Sequence, residues 1–92
     1  MRFLHSEFQL GSVDLVEVTL DAPANAFLVD EENFINYKNG KPYRYHGGHA
    51  ETTPVRLSVP HSGKWYLVVD LGGFAGRVRA FARVIQGEGV LN

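Results

Sequence analysis

Four histidines are the first residues in this chain that could do chemistry: His5, His46, His49 and His61. His46-Gly-Gly-His49 has a spacing of three, short enough for two imidazoles to share a metal ion. Zinc needs further ligands, and Glu51 or another histidine is the available supply. Zinc signatures normally bring two ligand pairs, whereas this is one pair around two glycines. The stretch reads better as a polar loop whose histidines face water. No metal and no other cofactor is expected.

A Ser–His–Asp arrangement could be drawn from Ser62, His61 and Asp70. Neighbours on a turn do not present nucleophile and base to each other, and no Gly-x-Ser-x-Gly elbow occurs. His61 and Ser62 are better explained as turn residues. Gly72-Gly73-Phe74-Ala75-Gly76 has the look of a phosphate loop, but such loops open a helix. Here the next segment, from Arg77, alternates like a strand. The glycines read as a hairpin turn, although a nest of N–H groups beside Arg77 could hold an anion weakly. No catalytic residue is assigned, and the chain is read as a non-enzyme.

Binding chemistry is concentrated between Asn33 and His49. Phe34, Tyr37, Tyr43 and Tyr45 are interleaved there with Asn36, Lys38, Lys41, Arg44, His46 and His49. Aromatic rings among amides and cations suit stacking on a sugar or base, and equally a protein contact. The plainer alternative is that the tyrosines lid the core with hydroxyls to solvent. Tyr37, Tyr43, Arg44, Tyr45, His46 and His49 form the first candidate surface. The second is the outward row Arg77, Arg79, Phe81 and Arg83. Its arginines could meet an acidic partner or phosphates, or pair with Glu17, Asp14 or Asp70 on a neighbouring strand. Phe81 is odd on a solvated face and hints at a covered face, a second copy or another domain.

These residues need elements to position them. At 92 residues the chain is read as one domain, 1–92, with enough length for a single core. There is no cysteine, hence no disulfide framework, which fits a reducing cytoplasm. No apolar run reaches signal-peptide or membrane length, so a soluble cytoplasmic protein is expected. A formal net charge of −1 argues against a dedicated nucleic-acid binder. The charges are uneven: residues 1–32 hold seven acids and one base, residues 33–92 eight bases and three acids. Cross-strand pairing of acidic with basic strands is the favoured explanation, ahead of two opposed faces.

The organising stretch is Pro54 to Gly73. Val55, Leu57 and Val59 alternate with Arg56 and Ser58, as in a half-buried strand. Pro60 stops the ladder, and Gly63 can close a tight hairpin into a second strand, Lys64 to Leu71. That second strand is the more apolar and is expected to be central, with Trp65 inward. Arg2–Leu10, Asp14–Leu20 and Asn25–Val29 read as earlier strands. Val16, Val18 and Leu20 point inward. Asp30 is a helix N-cap, Glu31 and Glu32 suit the first turn, and Asn39-Gly40 stops the helix after Lys38. This short helix, 31–38, is expected against the sheet edge, with Phe34 and Ile35 packed down. Lys41–His46 reads as a brief edge strand, Gly47–Ala50 as flexible, and Gln86–Asn92 as a frayed tail. In the last strand, Arg77 to Ile85, the inward set is Val78, Ala80, Ala82 and Val84. Its small alanines suggest close approach of the opposite layer. About seven short strands with turn signals between them point to an all-β, jelly-roll-like β-sandwich carrying one short helix.

Three runs carry a family resemblance: Val16-Glu-Val-Thr-Leu20, Asn25-Ala-Phe-Leu-Val-Asp30 with Asn33-Phe-x-x-Tyr37, and Val55 through Ala80. The last contains Pro60-His-Ser-Gly-x-Trp65 and Asp70-Leu-Gly-Gly-x-x-Gly76. Over almost its whole length the chain resembles a small bacterial all-β family classed only as a domain of unknown function. The resemblance implies members that stand alone or precede a Toll/interleukin-1-receptor-like domain, and it assigns no catalytic residue. More loosely, the order of elements is similar to Golgi-dynamics and pre-peptidase-type jelly-roll modules, which are non-catalytic accessories. The expectation is therefore a protein-interaction or sensing module whose partner is a protein, including a second copy of itself. The alternatives are a carbohydrate- or anion-binding domain using Tyr43, Tyr45, His46 and His49, and a metal-dependent enzyme using His46 and His49.

Overall fold

The computed structural model describes residues 3–73 and 76–87. Their elements in order are β1 (Phe3–Leu10), β2 (Leu15–Leu20), β3 (Ala24–Asp30), α1 (Glu31–Lys38), β4 (His46–Ala50), β5 (Val55–Ser58), β6 (Gly63–Asp70) and β7 (Ala80–Ile85). They form an all-β sandwich of two antiparallel sheets, a four-stranded one in the order β1-β6-β3-β4 and a three-stranded one in the order β5-β2-β7.

The four-stranded sheet is the middle of three layers. Its inner face (Leu10, Ala24, Ala26, Leu28, Trp65, Leu67 and Val69) packs on Val16, Val18 and Leu20 of β2. Its outer face, with Phe27, Val29 and Val68, lies under Phe34 and Tyr37 of α1. That double coverage is why β3 and β6 read as near-continuous apolar runs. β2 has one face to water, so it alternates, with Val16 and Val18 fully buried and Thr19 exposed.

The helix forms where the sequence predicts it. The Asp30 side chain accepts from the Asn33 N–H at 2.9 Å, and Glu31 and Glu32 occupy the first turn. Its position differs from expectation. It lies across the central strands β3 and β6, not against the sheet edge, because Phe27, Val29 and Val68 need a cover there. Tyr37 packs down beside Phe34, while Ile35 stays 47% exposed.

The stretch from Pro54 to Gly73 is not a hairpin. β5 pairs with β2, whereas β6 lies between β1 and β3. The turn at Pro60 therefore carries the chain from one sheet to the other. Pro60 ends the β5 ladder, and buried Val59 anchors the crossing in the core. β6 is central, as its composition predicts. The glycines after Asp70 likewise connect β6 in one sheet to β7 in the other, so they do not close a hairpin. Phe74 and Ala75 of that loop, Arg2 of the first expected strand, and residues 88–92 of the expected tail lie outside the described residues.

Residues 41–45 form no strand, and the ladder runs from His46 to Ala50 instead. Gly47 permits it, because a Cβ there would sit 2.4 Å from the Ala26 carbonyl oxygen. The alanines of β7 do not draw the layers together. Ala80 and Ala82 face Leu4, Phe8 and Leu67 across an open cleft of about 260 Å³. Arg77, Val78 and Arg79 precede the strand, with the Arg79 N–H held by the Asp21 carboxylate at 2.6 Å.

Candidate functional site

Four residues of the first candidate surface converge with the Pro60 turn. Tyr43, Arg44, Tyr45 and His46 form one wall of an open groove of about 600 Å³, and Pro60 and His61 form the other. Trp65 is its floor, only 2% exposed, with its indole N–H donated to the His61 carbonyl at 3.1 Å. His46 stands edge-on to the Trp65 ring at 5.6 Å and His61 is tilted over it at 5.1 Å.

Local packing sets the wall. Phe27 lies opposite Gly47 in the β3–β4 register, so its ring has space that a side chain would fill. Tyr43 stacks on Phe27 at 5.9 Å and Tyr45 tilts against it at 5.4 Å. The backbone N–H of Arg44 donates to the Asn33 side-chain oxygen at 2.8 Å, which ties the 41–45 segment to the helix. Asn33 also donates its amide N–H to Asp30 at 2.8 Å. Burial, and then the Asp70 charge, push the Tyr43 hydroxyl above the ordinary tyrosine range. Tyr45 remains 52% exposed, a large ring held out over the groove.

His49 does not join this group. It pairs in register with Asn25, and His46 with Leu28. The strand pleat sends residues an odd number apart to opposite faces, so the two histidines cannot share one ion without breaking β4. Among the described residues no group of three or more His, Cys, Asp or Glu is arranged to hold a metal. Tyr37 is not on the groove either. It is buried on the sheet-facing side of α1, and its hydroxyl donates to Asp70 at 2.6 Å. His61 and Ser62 lie at one end of β6 and Asp70 at the other, so no Ser–His–Asp set assembles. The His61 ring instead contacts the Ser62 carbonyl at 3.0 Å.

Asp70 has a role that the sequence reading missed. It is 5% exposed and accepts from Tyr37, from the Asn25 amide at 2.8 Å and from the Gly72 N–H at 2.9 Å. Asn25 in turn meets the His49 ring at 3.2 Å, and His49 lies 3.8 Å from Glu51. Burial, and secondarily the bond to Asp70, raise the Tyr37 hydroxyl well above its ordinary range. With both carboxylate oxygens engaged, the network fixes the helix to the sheet. The available signal was an acid ending the apolar run Leu67-Val-Val-Asp70, since a buried carboxylate needs donors.

The arginine row divides. Arg77 and Arg79 line a cavity of about 750 Å³ at the Asp70 end of the sandwich, with Phe3 and Val69. Arg83 lies on the outer face of the three-stranded sheet, where Glu17 takes its Nε at 2.9 Å and Arg56 at 3.1 Å. Those bonds, Arg83 first, hold the Glu17 carboxyl below its usual range. Asp14 is occupied elsewhere. It accepts from the Gly11 and Gly87 N–H groups, and these lower its carboxyl too. Phe81 is 68% exposed beside this pair.

Fold and groove together define a small β-sandwich with a helical cover and an open cleft lined by aromatic side chains. The family model for Domain of unknown function (DUF1883) matches residues 1–87, and the chain belongs to that family. No significant match is found among curated proteins or among solved structures. No helix among the described residues is long and apolar enough to cross a membrane.

Proposed function

We propose that this protein is a non-catalytic interaction module that takes an extended segment of a protein partner in the Tyr43–Tyr45–His46–Trp65 groove. The observation that carries this reading is the convergence of Tyr43, Tyr45, His46 and His61 over a Trp65 floor. Rigid aromatic rings beside a cation, here Arg44, are the usual anchors of a protein contact. The buried polar groups around the groove are committed to holding its shape, and none forms a nucleophile–base pair. A working place in a bacterial cytoplasm belongs to the same proposal, and the cysteine-free composition supports it.

A carbohydrate is the second reading, favoured by the same ring faces. The polar side chains count against it. Asn33 spends its oxygen on Arg44 and its amide on Asp30, which leaves few groups free to bond sugar hydroxyls. A small-anion site or a sensing role would rest on Arg44 and His46 in the same groove.

Selection from a random peptide-display library tests the proposal. Enriched peptides should lose at least about tenfold in affinity on Tyr45→Ala. They should keep their affinity on Phe81→Ser, which lies on another face. Absence of any enriched peptide, or peptides indifferent to Tyr45, would sink it. A glycan array that binds wild type and not Tyr45→Ala would favour the carbohydrate.

A further inference from the structure

The sandwich is closed along one side and open along the other. Edge strands β4 and β5 approach each other, whereas β1 and β7, the edges opposite, flank the cleft of about 260 Å³. The β1–β6 register sets Leu4 beside Val69, Ser6 beside Leu67 and Phe8 beside Trp65, so these β1 side chains share the inner face. Leu4 is nevertheless 47% exposed. The cause lies across the cleft, where Ala80 and Ala82 are too short to cover it. From Leu4 to Phe8 the strand runs roughly 14 Å. At Leu4 and Val69 the cleft meets the cavity of about 750 Å³, so the two form one apolar slot.

The charged groups collect at one end of that slot, where Arg77 and Arg79 line it with Asp21 and Asp70. Both Asp70 oxygens are taken, by Tyr37, Asn25 and the Gly72 N–H. Asp21 accepts the Arg79 backbone N–H at 2.6 Å, and its own N–H donates to the Arg79 carbonyl at 3.1 Å. Asp21 thus holds Arg79 by its main chain and not by its guanidinium. Among the described residues no carboxylate is ion-paired with Arg77 or Arg79. Two unanswered guanidinium groups at the end of an apolar slot fit an anion carried on a hydrocarbon.

From this arrangement we infer that the slot binds a linear aliphatic monocarboxylate, a fatty-acid-like ligand. Its carboxylate meets Arg77 and Arg79, and its chain lies between β1 and β7 against Leu4, Val69 and Ala80. An inorganic anion would leave the apolar walls wet, and a neutral hydrocarbon would gain nothing from the arginines. The site is separate from the Tyr45–Trp65 groove and stands whether or not that groove takes a peptide.

Isothermal titration calorimetry on the full chain, with decanoate kept below its micelle-forming concentration, tests this. Wild type should bind one decanoate saturably. Decanol has the same tail and no charge, and should bind at least about tenfold more weakly, the scale of one lost charge-assisted hydrogen bond. That contrast needs no variant. Arg77→Gln with Arg79→Gln should weaken decanoate by a similar factor and leave decanol unchanged, which separates a charge role from packing. Ala80→Phe should block both ligands by filling the slot. All three positions are exposed, and thermal melts matching wild type confirm that the variants fold. No saturable decanoate binding, equal affinity in wild type and the double arginine variant, or displacement of decanoate by equimolar phosphate would overturn the inference. A wild type that sediments as a dimer and takes no decanoate would overturn it in favour of a second copy closing the slot.

Discussion

The Tyr37 hydroxyl donates to the Asp70 carboxylate at 2.6 Å, and this bond joins the helical layer to the middle of the sandwich. Tyr37 ends the buried row of an eight-residue helix, and Asp70 ends the buried run of the central strand β6. A helix that short is not stable alone, so its place depends on Phe34, Tyr37 and this bond.

Removing the hydroxyl with Tyr37→Phe leaves one Asp70 oxygen without its donor. The expected loss is about 1.5–3 kcal/mol, the usual scale for a hydrogen bond to a charged group. Urea unfolding measures it. The raised tyrosine also sets a sign at high pH. A hydroxyl whose folded value is raised contributes stability below its unfolded value and loses it as pH rises beyond. Wild type should weaken above the ordinary tyrosine value of 10.0, and Tyr37→Phe should weaken less steeply. Identical alkaline slopes would contradict this.

Glu17 makes the opposite prediction in acid. Arg83 and then Arg56 depress its carboxyl, so its contribution is present above the ordinary value of 4.5 and is lost as pH falls through the folded one. Glu17→Gln should melt lower than wild type at neutral pH, with the two melting temperatures converging in acid. Asp14 titrates in the same direction and gives both proteins a shared slope. A constant gap between the curves down to low pH would show that the Arg56–Glu17–Arg83 set contributes no charge-dependent stability.

The alternation of β2, the capped helix and the central place of β6 were legible because each follows from local periodicity or a local hydrogen bond. Which strands pair was not. Val55–Ser58 and Gly63–Asp70 sit a short turn apart in the chain, yet they belong to different sheets. Short-range turn chemistry cannot tell a hairpin from a sheet crossing, since Pro60 and Gly63 suit both. Gly47 and Gly48 read as flexible for a similar reason. Their conformational freedom is visible in the sequence, but the close approach of Ala26 and Phe27 that requires it at Gly47 is long-range. Of the candidate surface, Tyr43, Tyr45 and His46 were gathered by their neighbourhood in the chain. The pleat removed His49, the helix buried Tyr37, and the far wall, His61 over Trp65, came from a distant turn.

Gly47→Ala tests the cause of the β4 placement. The added methyl would meet the Ala26 carbonyl at 2.4 Å and the Phe27 Cα at 2.8 Å, at a φ of +136° that side chains rarely adopt. A cost of about 1–3 kcal/mol from the backbone alone is expected, with loss of amide-exchange protection across His46–Ala50. Protection equal to wild type would mean that β4 does not need the glycine.

Trp65→Ala should cost about 3–5 kcal/mol in urea unfolding, because it empties the largest fully buried side chain of the inner face. A variant as stable as wild type would contradict the burial of Trp65 and with it the floor of the groove.

The most direct measurement of the central claim uses the one tryptophan in the chain. Its indole N–H, bonded to His61, gives a single resolved signal at the base of the groove in a ¹H–¹⁵N spectrum. Titration with a display-selected peptide should move that signal saturably, together with the amides of Tyr43, Arg44, Tyr45, His46 and His61, while Phe81 and Arg83 stay still. Saturable shifts confined to the Phe81 face, with the Trp65 signal unmoved, would contradict the groove as the binding site.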